Sequence, residues 1–252
     1  MLAFVSALAG FGALFYLQAA LWESLFHEYI LDLTPARRER VHRLRRLLPM
    51  LWAIHVDHAV LHHHRTFRRS HVEMFSGAGE EARLQAVLRG QFPARIARGF
   101  VETRYGSTFT WRGMVPFALP VWLNFCWLLV LPPGPAALGC LAANLLFSTP
   151  YLALSKWVHP YMHRRFDDAL AEAPAVIGWV LGSTFGLAIR VSHFVHHRDP
   201  RVNFNLQFGM DRPRGRWRAP TPGEWDEMLA LGLVTPRHRA RLEGRTFLGH
   251  PF

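Results

Sequence analysis

Two long segments without a charged residue constrain the fold of this chain more than any other feature. The first runs from Leu2 to Trp22, and the second runs from Met114 to Ser155. A helix rises about 1.5 Å per residue, so roughly 20 apolar residues cross the ~30 Å hydrocarbon layer of a bilayer. Three prolines and a glycine between Leu131 and Pro135 interrupt the second segment, which predicts a helical hairpin. We therefore predict membrane spans at about 2–22, 114–131 and 136–155.

The first apolar run has a secretory signal peptide as its alternative interpretation. Signal peptides begin with basic residues, continue with a shorter apolar core and end at a small-residue cleavage site. Here the basic residues follow the run, as a cluster from Arg37 to Arg46. This order favours a retained span, with the N-terminus outside and the arginine cluster in the cytosol.

A third apolar segment, from Pro174 to Ile189, is only about sixteen residues long and contains Gly182 and Gly186. Histidines before and after it, at His163 and His193, should belong to one site. A full crossing between them would place those ligands on opposite sides of the bilayer. We therefore predict a half-buried or re-entrant helix at about 174–189, with its ends covered by protein.

These segments predict an all-α, integral membrane helical bundle that forms a single membrane domain over residues 1–252. A cytosolic, histidine-rich, metal-binding cap is predicted from the segments between and after the spans, 23–113, 156–173 and 190–252. Within the cap, residues 47–65 are predicted to form a short interfacial helix, and residues 77–110 an arginine-rich amphipathic connection.

The charge distribution argues against nucleic-acid binding. The net charge is +11, and the 29 Lys and Arg residues are concentrated between the uncharged stretches, as on the cytoplasmic face of a membrane protein. We expect the arginine runs at 37–46 and 65–69 to contact lipid headgroups, with docking of an acidic electron donor as the alternative. Cys126 and Cys140 lie inside apolar runs and indicate packing rather than a disulfide framework.

Histidine is the unusual component of the composition. Of 15 histidines, most fall in four groups: His27; His55, His58, His62, His63 and His64; His159 and His163; His193, His196 and His197. At 100° per residue, His55, His58 and His62 lie on one helix face with His63 beside them, whereas His64 points away. The other groups have spacings of three or four residues. The isolated histidines, His42, His71, His238 and His250, are interpreted as surface or loop residues.

The number of clustered histidines predicts two metal ions. Neutral imidazole suits iron, zinc or copper, and a single zinc takes about four ligands. Burying so many titratable rings without a metal would leave unmet hydrogen bonds or costly charges. Iron fits oxygen chemistry at a membrane surface, although the ligand type alone leaves zinc as an alternative.

At these residues the sequence resembles the membrane fatty acid hydroxylase and sterol desaturase superfamily, whose members carry histidine boxes. The matching motifs are His58-Ala-Val-Leu-His62-His63, His159-Pro-Tyr-Met-His163 and His193-Phe-Val-His196-His197. The resemblance extends from Trp22 to about Trp225. The first box departs from the pattern, because Asp32 follows His27 where the family usually has a second histidine. Asp32 is interpreted either as a carboxylate ligand or as a helix cap before Thr34 and Pro35.

The resemblance implies a non-haem di-iron centre that hydroxylates or desaturates a lipid chain with O2. The metal ligands it indicates are His27, Asp32, His55, His58, His62, His63, His159, His163, His193, His196 and His197. Asn203 and Asn205 are candidates for orienting these ligands, with a loop turn as the alternative. The chain lacks a cytochrome-like or iron–sulfur cysteine pattern, so electrons would come from a separate ferredoxin or cytochrome. A metal transporter or zinc-storing protein is the alternative from another class. It is disfavoured because the histidines lie at the ends of the apolar runs.

Overall fold

The computed structural model of this chain describes residues 1–56, 58, 59, 62, 63, 79, 82, 83, 86, 90 and 111–252. His64, His71, residues 65–69 and almost all of the predicted connection at 77–110 lie outside this set. The described part is mostly helical, as predicted, with one two-stranded hairpin, Thr246–Phe247 (β1) paired with His250–Pro251 (β2). The helices are α1 (Leu2–Phe26, continued by a π-helical turn His27–Leu31), α2 (Pro35–Arg43), α3 (Pro49–His55), α4 (Trp111–Phe117), α5 (Leu119–Phe125, continued by a 3-10 turn Cys126–Leu129), α6 (Pro135–Phe147), α7 (Pro150–Ala153, continued by a π-helical turn Leu154–Val158), α8 (His159–Met162), α9 (Phe166–Glu172), α10 (Ala175–Gly182), α11 (Thr184–Arg198), α12 (Pro222–Ala230) and α13 (Pro236–Leu242).

Within the described residues, two helices are long and apolar enough to cross a membrane. One extends over Leu2–Leu31 and the other over Pro135–Met162, with 30 and 28 residues. Both are longer than the predicted spans at 2–22 and 136–155. His27 and His159 therefore lie within the last turns of these helices and not beyond their ends. Each helix therefore continues past its apolar stretch, and this continuation contains a ligand candidate.

The first arm of the predicted hairpin differs from the single span expected at 114–131. Helices α4 and α5 are separated at Ala118, and the apolar helix Leu119–Leu129 is only about 16 Å long. Pro116 lies inside α4 and Pro120 in the first turn of α5. Proline lacks an N–H and clashes with the carbonyl four residues earlier, so this arm bends instead of continuing straight.

A sharp corner lies between α10 and α11, which meet at 75° and form either a broken span or a re-entrant loop. Both alternatives are compatible with this bend, so the half-buried or re-entrant helix at 174–189 stays a prediction. Ser183 caps α11 by accepting a hydrogen bond from the Gly186 N–H at 3.0 Å. A Cβ at Gly186 would lie 2.0 Å from the Val180 carbonyl oxygen, so glycine is required for the corner to close.

Small residues bring α1 and α6 together. A Cβ on Gly139 would lie 2.5 Å from the Phe4 carbonyl oxygen, and one on Gly12 would lie 2.8 Å from the Phe147 ring. Such close backbone approach is the usual means of packing helices in lipid. Cys140 is buried at this contact as predicted, whereas Cys126 is exposed instead of packed.

The segment after α11 folds back against the helices that carry the histidines. Its two helices each begin with a threonine-based capping box, at Thr221 and Thr235. Trp225 and Met228 are fully buried in the largest apolar cluster, which also includes Val191 of α11 and Phe252. The C-terminal segment is thereby fixed beside the histidines of α11.

Candidate metal centre

The four histidine groups converge in space, which confirms the predicted meeting of distant segments. Their side chains form two sets whose potential ligand atoms lie within 4.8 Å of one another. The first set, called here the five-histidine group, contains His62, His159, His163, His193 and His197. The second set, called here the Asp32 group, contains Asp32, His58, His63 and His196. The two are in contact, because the rings of His63 and His197 stack with centroids 4.2 Å apart.

Helical turns of π type occur at three of the segments that carry ligand candidates. They cover His27–Leu31, Leu154–Val158 and the described residues from Val56 to His63. A π turn is closed by i→i+5 hydrogen bonds, so residues five apart come onto one face. His58 and His63 therefore share the Asp32 group, whereas α-helical spacing had grouped His58 with His62.

Three ring nitrogens in the five-histidine group cannot all be satisfied by hydrogen bonds to one another. The Nε2 atoms of His159, His163 and His193 form a triangle with sides of 2.9, 2.9 and 3.2 Å. A neutral ring nitrogen either donates or accepts a proton, so three mutual neighbours cannot all form donor–acceptor pairs. At least one pair therefore brings two donors or two acceptors together. A cation between these lone pairs would remove the conflict.

In the Asp32 group, a carboxylate faces three imidazoles. An oxygen of Asp32 lies 3.4 Å from Nε2 of His58, 3.6 Å from that of His63 and 3.4 Å from that of His196. Asp32 Oδ2 and His196 Nε2 are buried without a hydrogen-bond partner among the described residues. Thr34, and not Asp32, is the residue that precedes the first turn of α2. The structure thus favours the ligand interpretation of Asp32 over the capping one.

The protonation states of Asp32 and His62, which lie outside the two candidate membrane-spanning helices, suit metal binding. Burial alone would raise the pKa of Asp32, but His58, His63 and His196 hold it well below its usual value. Burial, reinforced by neighbouring rings, lowers the pKa of His62 well below its ordinary value. His62 is therefore neutral at physiological pH and keeps a lone pair, and Asp32 is ionised.

The spacing of the ligand atoms fits metal coordination. Bonds of about 2.1 Å place neighbouring ligand atoms about 3.0 Å apart in an octahedron and about 3.4 Å apart in a tetrahedron. In the five-histidine group, four nitrogen pairs among His159, His163, His193 and His197 are 2.9 to 3.2 Å apart, and all five ligand atoms lie within 4.8 Å of one another. The distances between Asp32 and its histidines are 3.4 to 3.6 Å. Both groups can therefore each hold one ion with little movement.

His27 and His55 lie outside both sets. His27 Nδ1 donates to the Glu23 carbonyl oxygen at 2.9 Å, and its ring lies beside those of His58 and His196, with centroids 5.3 and 5.6 Å away. It is thus adjacent to the Asp32 group. His55 Nδ1 donates to the Leu31 carbonyl oxygen at 2.8 Å. His55 therefore fastens α3 to the end of the first helix and is not brought together with the predicted ligands.

Asn203 and Asn205 serve the loop and do not contact the histidines directly, according to their described hydrogen bonds. Asn203 adopts a positive φ of 55° and is paired with the backbone of Arg218. Asn205 donates to the Ala20 carbonyl oxygen and to the Glu23 carboxylate. These hydrogen bonds fit the loop-turn alternative, and the orientation of the ligands by the two asparagines stays a prediction.

The loop that they shape does reach the metal centre. The Val202 carbonyl oxygen accepts a hydrogen bond from His196 Nδ1 at 2.9 Å. Phe204 stacks on the His27 ring at 6.0 Å and meets the His196 ring edge-on. Glu23 accepts a hydrogen bond from the Leu206 N–H at 3.0 Å. Sequence reasoning missed these partners. The contact between Glu23 and Leu206 joins residues 183 positions apart, and no local motif signals any of the three.

The isolated histidines were predicted to be surface or loop residues, and the described ones differ in how far they are buried. His42 is exposed, as expected. His238 is half-buried and completes the capping box of α13 by accepting a hydrogen bond from the Thr235 N–H at 3.2 Å. His250 was expected at the surface, but it is buried against Trp217 with ring centroids 4.5 Å apart. This last expectation is corrected, because the C-terminal hairpin folds His250 onto the aromatic cluster around Phe208.

Arg190 is a buried cation that joins two histidine-bearing helices. It lies three residues before His193, and its guanidinium donates to the carbonyl oxygens of Tyr161 at 3.0 Å and Arg164 at 2.7 Å. Those carbonyls lie at the end of α8, on either side of His163. Arg190 therefore fixes the end of α8 against α11, where His163 faces His193.

We predict that Arg190→Met lowers the metal affinity of the five-histidine group. Removing a partner that orients ligands typically costs about 10- to 100-fold in affinity, and methionine leaves the carbonyls of α8 unpaired. Arg190→Lys should lose less, because it keeps the charge but not the planar fork. Metal content after dialysis against graded chelator measures the effect. Retention of both ions by Arg190→Met at the affinity of the unmodified chain would contradict this role.

A small cavity lies between the two groups. Its volume of about 20 Å³ is enough for one water-sized molecule. Histidines from both groups face it, and most of its other walls are apolar. It is lined by His27, Leu31, His58, Phe117, Ser155, His159, His193 and Leu206.

Comparison of the chain with protein-family models, curated proteins and solved structures finds no match. The function is therefore inferred from the geometry of the centre itself.

Proposed function

We propose that this chain is a membrane-bound, non-haem di-iron oxidoreductase that hydroxylates a lipid or fatty-acyl chain, with desaturation of a similar substrate as the alternative. One observation carries the proposal. Two adjacent ligand sets, one of five imidazoles and one of three imidazoles with a carboxylate, face a single cavity with apolar walls. Structural sites are closed around one ion, whereas this arrangement leaves space beside two.

The donor sets favour a redox-active transition metal. Imidazole-rich sites suit iron, copper, nickel and zinc, whereas magnesium and calcium prefer oxygen. Five imidazoles exceed the four ligands of a structural zinc site. Bound in these two sets, a pair of irons would supply the oxygen activation and electron transfer that oxidation of an unactivated C–H bond requires.

The chain's own residues position the substrate and exclude water. Leu31, Phe117 and Leu206 form an apolar wall opposite the histidines, which suits a slender methylene chain better than a polar molecule. Burial of both ligand sets keeps water from competing at the centre. Ser155 is the one non-histidine polar residue in the lining, and in this proposal its hydroxyl bonds an oxygen of the product.

The position of the centre supports a bilayer-dissolved substrate. Ligand candidates occupy the last turns of both long apolar helices, at His27 and His159. Tyr29 and Trp157, two residues away from each of them, are exposed, as is typical of side chains at a membrane–water interface. A lipid would enter sideways at this level. By the positive-inside rule, the arginines after the first helix support a cytosolic location of the centre, where a ferredoxin or cytochrome would deliver electrons.

Oxidation with labelled oxygen tests the proposal. The purified chain, loaded with iron in lipid nanodiscs, is supplied with a chemical reductant and ¹⁸O2, and the lipids are analysed by mass spectrometry. Hydroxylation consumes one O2, two electrons and two protons per substrate, and leaves one ¹⁸O in the lipid and one in water. Zinc-loaded protein is the control and should be inactive. Loss of two hydrogens without label indicates desaturation. Tightly bound metal with no lipid oxidised would instead indicate a storage or transport protein.

A further inference from the structure

Residues 34–48, called here the arginine loop, connect two segments that are held together beside the metal centre. The loop begins three residues after Leu31, the last residue of the first long helix. It ends where α3 begins, and α3 is fastened back to Leu31 by His55 at 2.8 Å. Leu31, Ala53 and Ile54 share one buried cluster. Both ends of the loop are therefore held beside the end of that helix, while the residues between them extend outward.

The loop is basic and lies outside the core. It contains six arginines and one acidic residue, Glu39, and no residue of α2 is buried. Glu28 pairs with Arg37 at 3.5 Å, and Glu39 pairs with Arg43 at 2.5 Å. The remaining four arginines have no carboxylate within salt-bridge distance among the described residues; they are Arg38, Arg40, Arg45 and Arg46. The loop therefore presents the positive charges of these four arginines, and no described acidic group neutralises them.

Exposed leucines accompany these arginines. Leu44, Leu47 and Leu48 are 45%, 78% and 45% exposed at the turn between α2 and α3. Arginines mixed with exposed leucines are typical of segments that lie in a membrane interface, where leucine enters the acyl boundary and arginine meets headgroups. An acidic protein partner would match the charges but would not account for three adjacent exposed leucines.

We propose that the arginine loop binds the anionic headgroups of the bilayer in which the first helix is inserted. The proposal rests on the membrane location put forward above, because the loop starts within one helical turn of the apolar helix. Unpaired arginines face phosphate groups, and Leu47 enters the lipid beside them. Because Asp32 directly precedes the loop and His58 follows α3, headgroup binding also steadies the two segments that supply the Asp32 group.

A fluorescent probe at the leucine turn tests this placement. Cys126 and Cys140 are replaced by Ser and Ala, Leu47→Cys is labelled with an environment-sensitive dye, and the full chain is placed in nanodiscs. The discs contain phosphatidylcholine alone or mixed with phosphatidylglycerol. Anionic discs should shift the emission to the blue and make it sensitive to quenchers at the headgroup level. Leu248→Cys, 61% exposed in the C-terminal hairpin, is the matched control and should not respond.

Removal of the arginine charges and addition of an acidic polymer in place of anionic lipid complete the test. Each of the substitutions Arg38→Gln, Arg40→Gln, Arg45→Gln and Arg46→Gln should weaken partitioning of the turn about fivefold, and high salt should weaken it further. A probe equally exposed to water in both discs would overturn the proposal, as would a response to polyglutamate with none to anionic lipid. The readout needs no oxidation, so inactive iron-loaded protein would refute the oxidase proposal while leaving this one standing. Failure to assemble into discs would refute both.

Discussion

Replacing His193 by alanine is expected to empty the five-histidine group and abolish lipid oxidation. The Nε2 atom of His193 lies 2.9 Å from those of His159 and His163 and 3.0 Å from that of His197. His193 thus contacts three other members of the group, so its removal opens the middle of the ligand set. Loss of a residue that merely orients a ligand costs about 10- to 100-fold in metal affinity, and loss of this ligand should cost at least as much.

Two measurements check the His193 prediction. Elemental analysis should find about one ion fewer per chain than in the unmodified protein, and lipids from a host that expresses His193→Ala should resemble those of a host without the chain. His42→Ala is the control for an exposed histidine, and His55→Ala is the control for a buried one that lies outside both groups. Both controls should retain their metal. Identical lipid profiles for the unmodified chain and His193→Ala would remove the support for an oxidase.

The convergence of the centre could be predicted from sequence, because it follows from two local rules. Apolar runs fix where helices lie in a bilayer, and spacings of three or four residues place histidines on one face. His159 with His163, and His193 with His197, obey α-helical spacing and do share a group. These rules hold because each concerns a single helix, whose geometry depends little on the rest of the fold.

The division of ligands between the two groups could not be predicted in the same way. A π-helical turn assigns His58 and His63 to one group and His62 to the other, and such turns have no reliable signal in a single sequence. Likewise, Glu23 and Asn205 meet across 182 positions. The bend at Ala118 was also missed, although Pro116 and Pro120 were visible, because lipid-embedded helices tolerate proline when neighbouring groups satisfy the backbone. Here Trp22 and Tyr151 donate to the Phe117 carbonyl oxygen.

Substitutions of Asp32 should separate the two metal sites. Asp32 is the only carboxylate in either ligand set among the described residues, so Asp32→Ala leaves His58, His63 and His196 to hold an ion without a compensating negative charge. We expect the Asp32 group to lose its ion while the five-histidine group keeps its own. Asp32→Asn keeps an oxygen ligand but removes the charge, and an amide is a poorer ligand for a transition metal than a carboxylate or imidazole. Its affinity should therefore fall between those of the alanine variant and the unmodified chain.

Asp32→His distinguishes a ligand from a purely electrostatic partner. Neutral imidazole is a good iron ligand, so a histidine at this position can replace a carboxylate ligand but not its negative charge. If Asp32 binds metal directly, Asp32→His should retain about two ions per chain, whereas Asp32→Ala retains about one. If Asp32 acts only through its charge, the histidine and alanine variants should lose the second ion equally. Mössbauer spectra of ⁵⁷Fe-loaded protein report the two environments separately, and Asp32→Ala should lose one signal and leave the other unchanged. An unaltered pair of signals in Asp32→Ala would show that Asp32 is not a ligand.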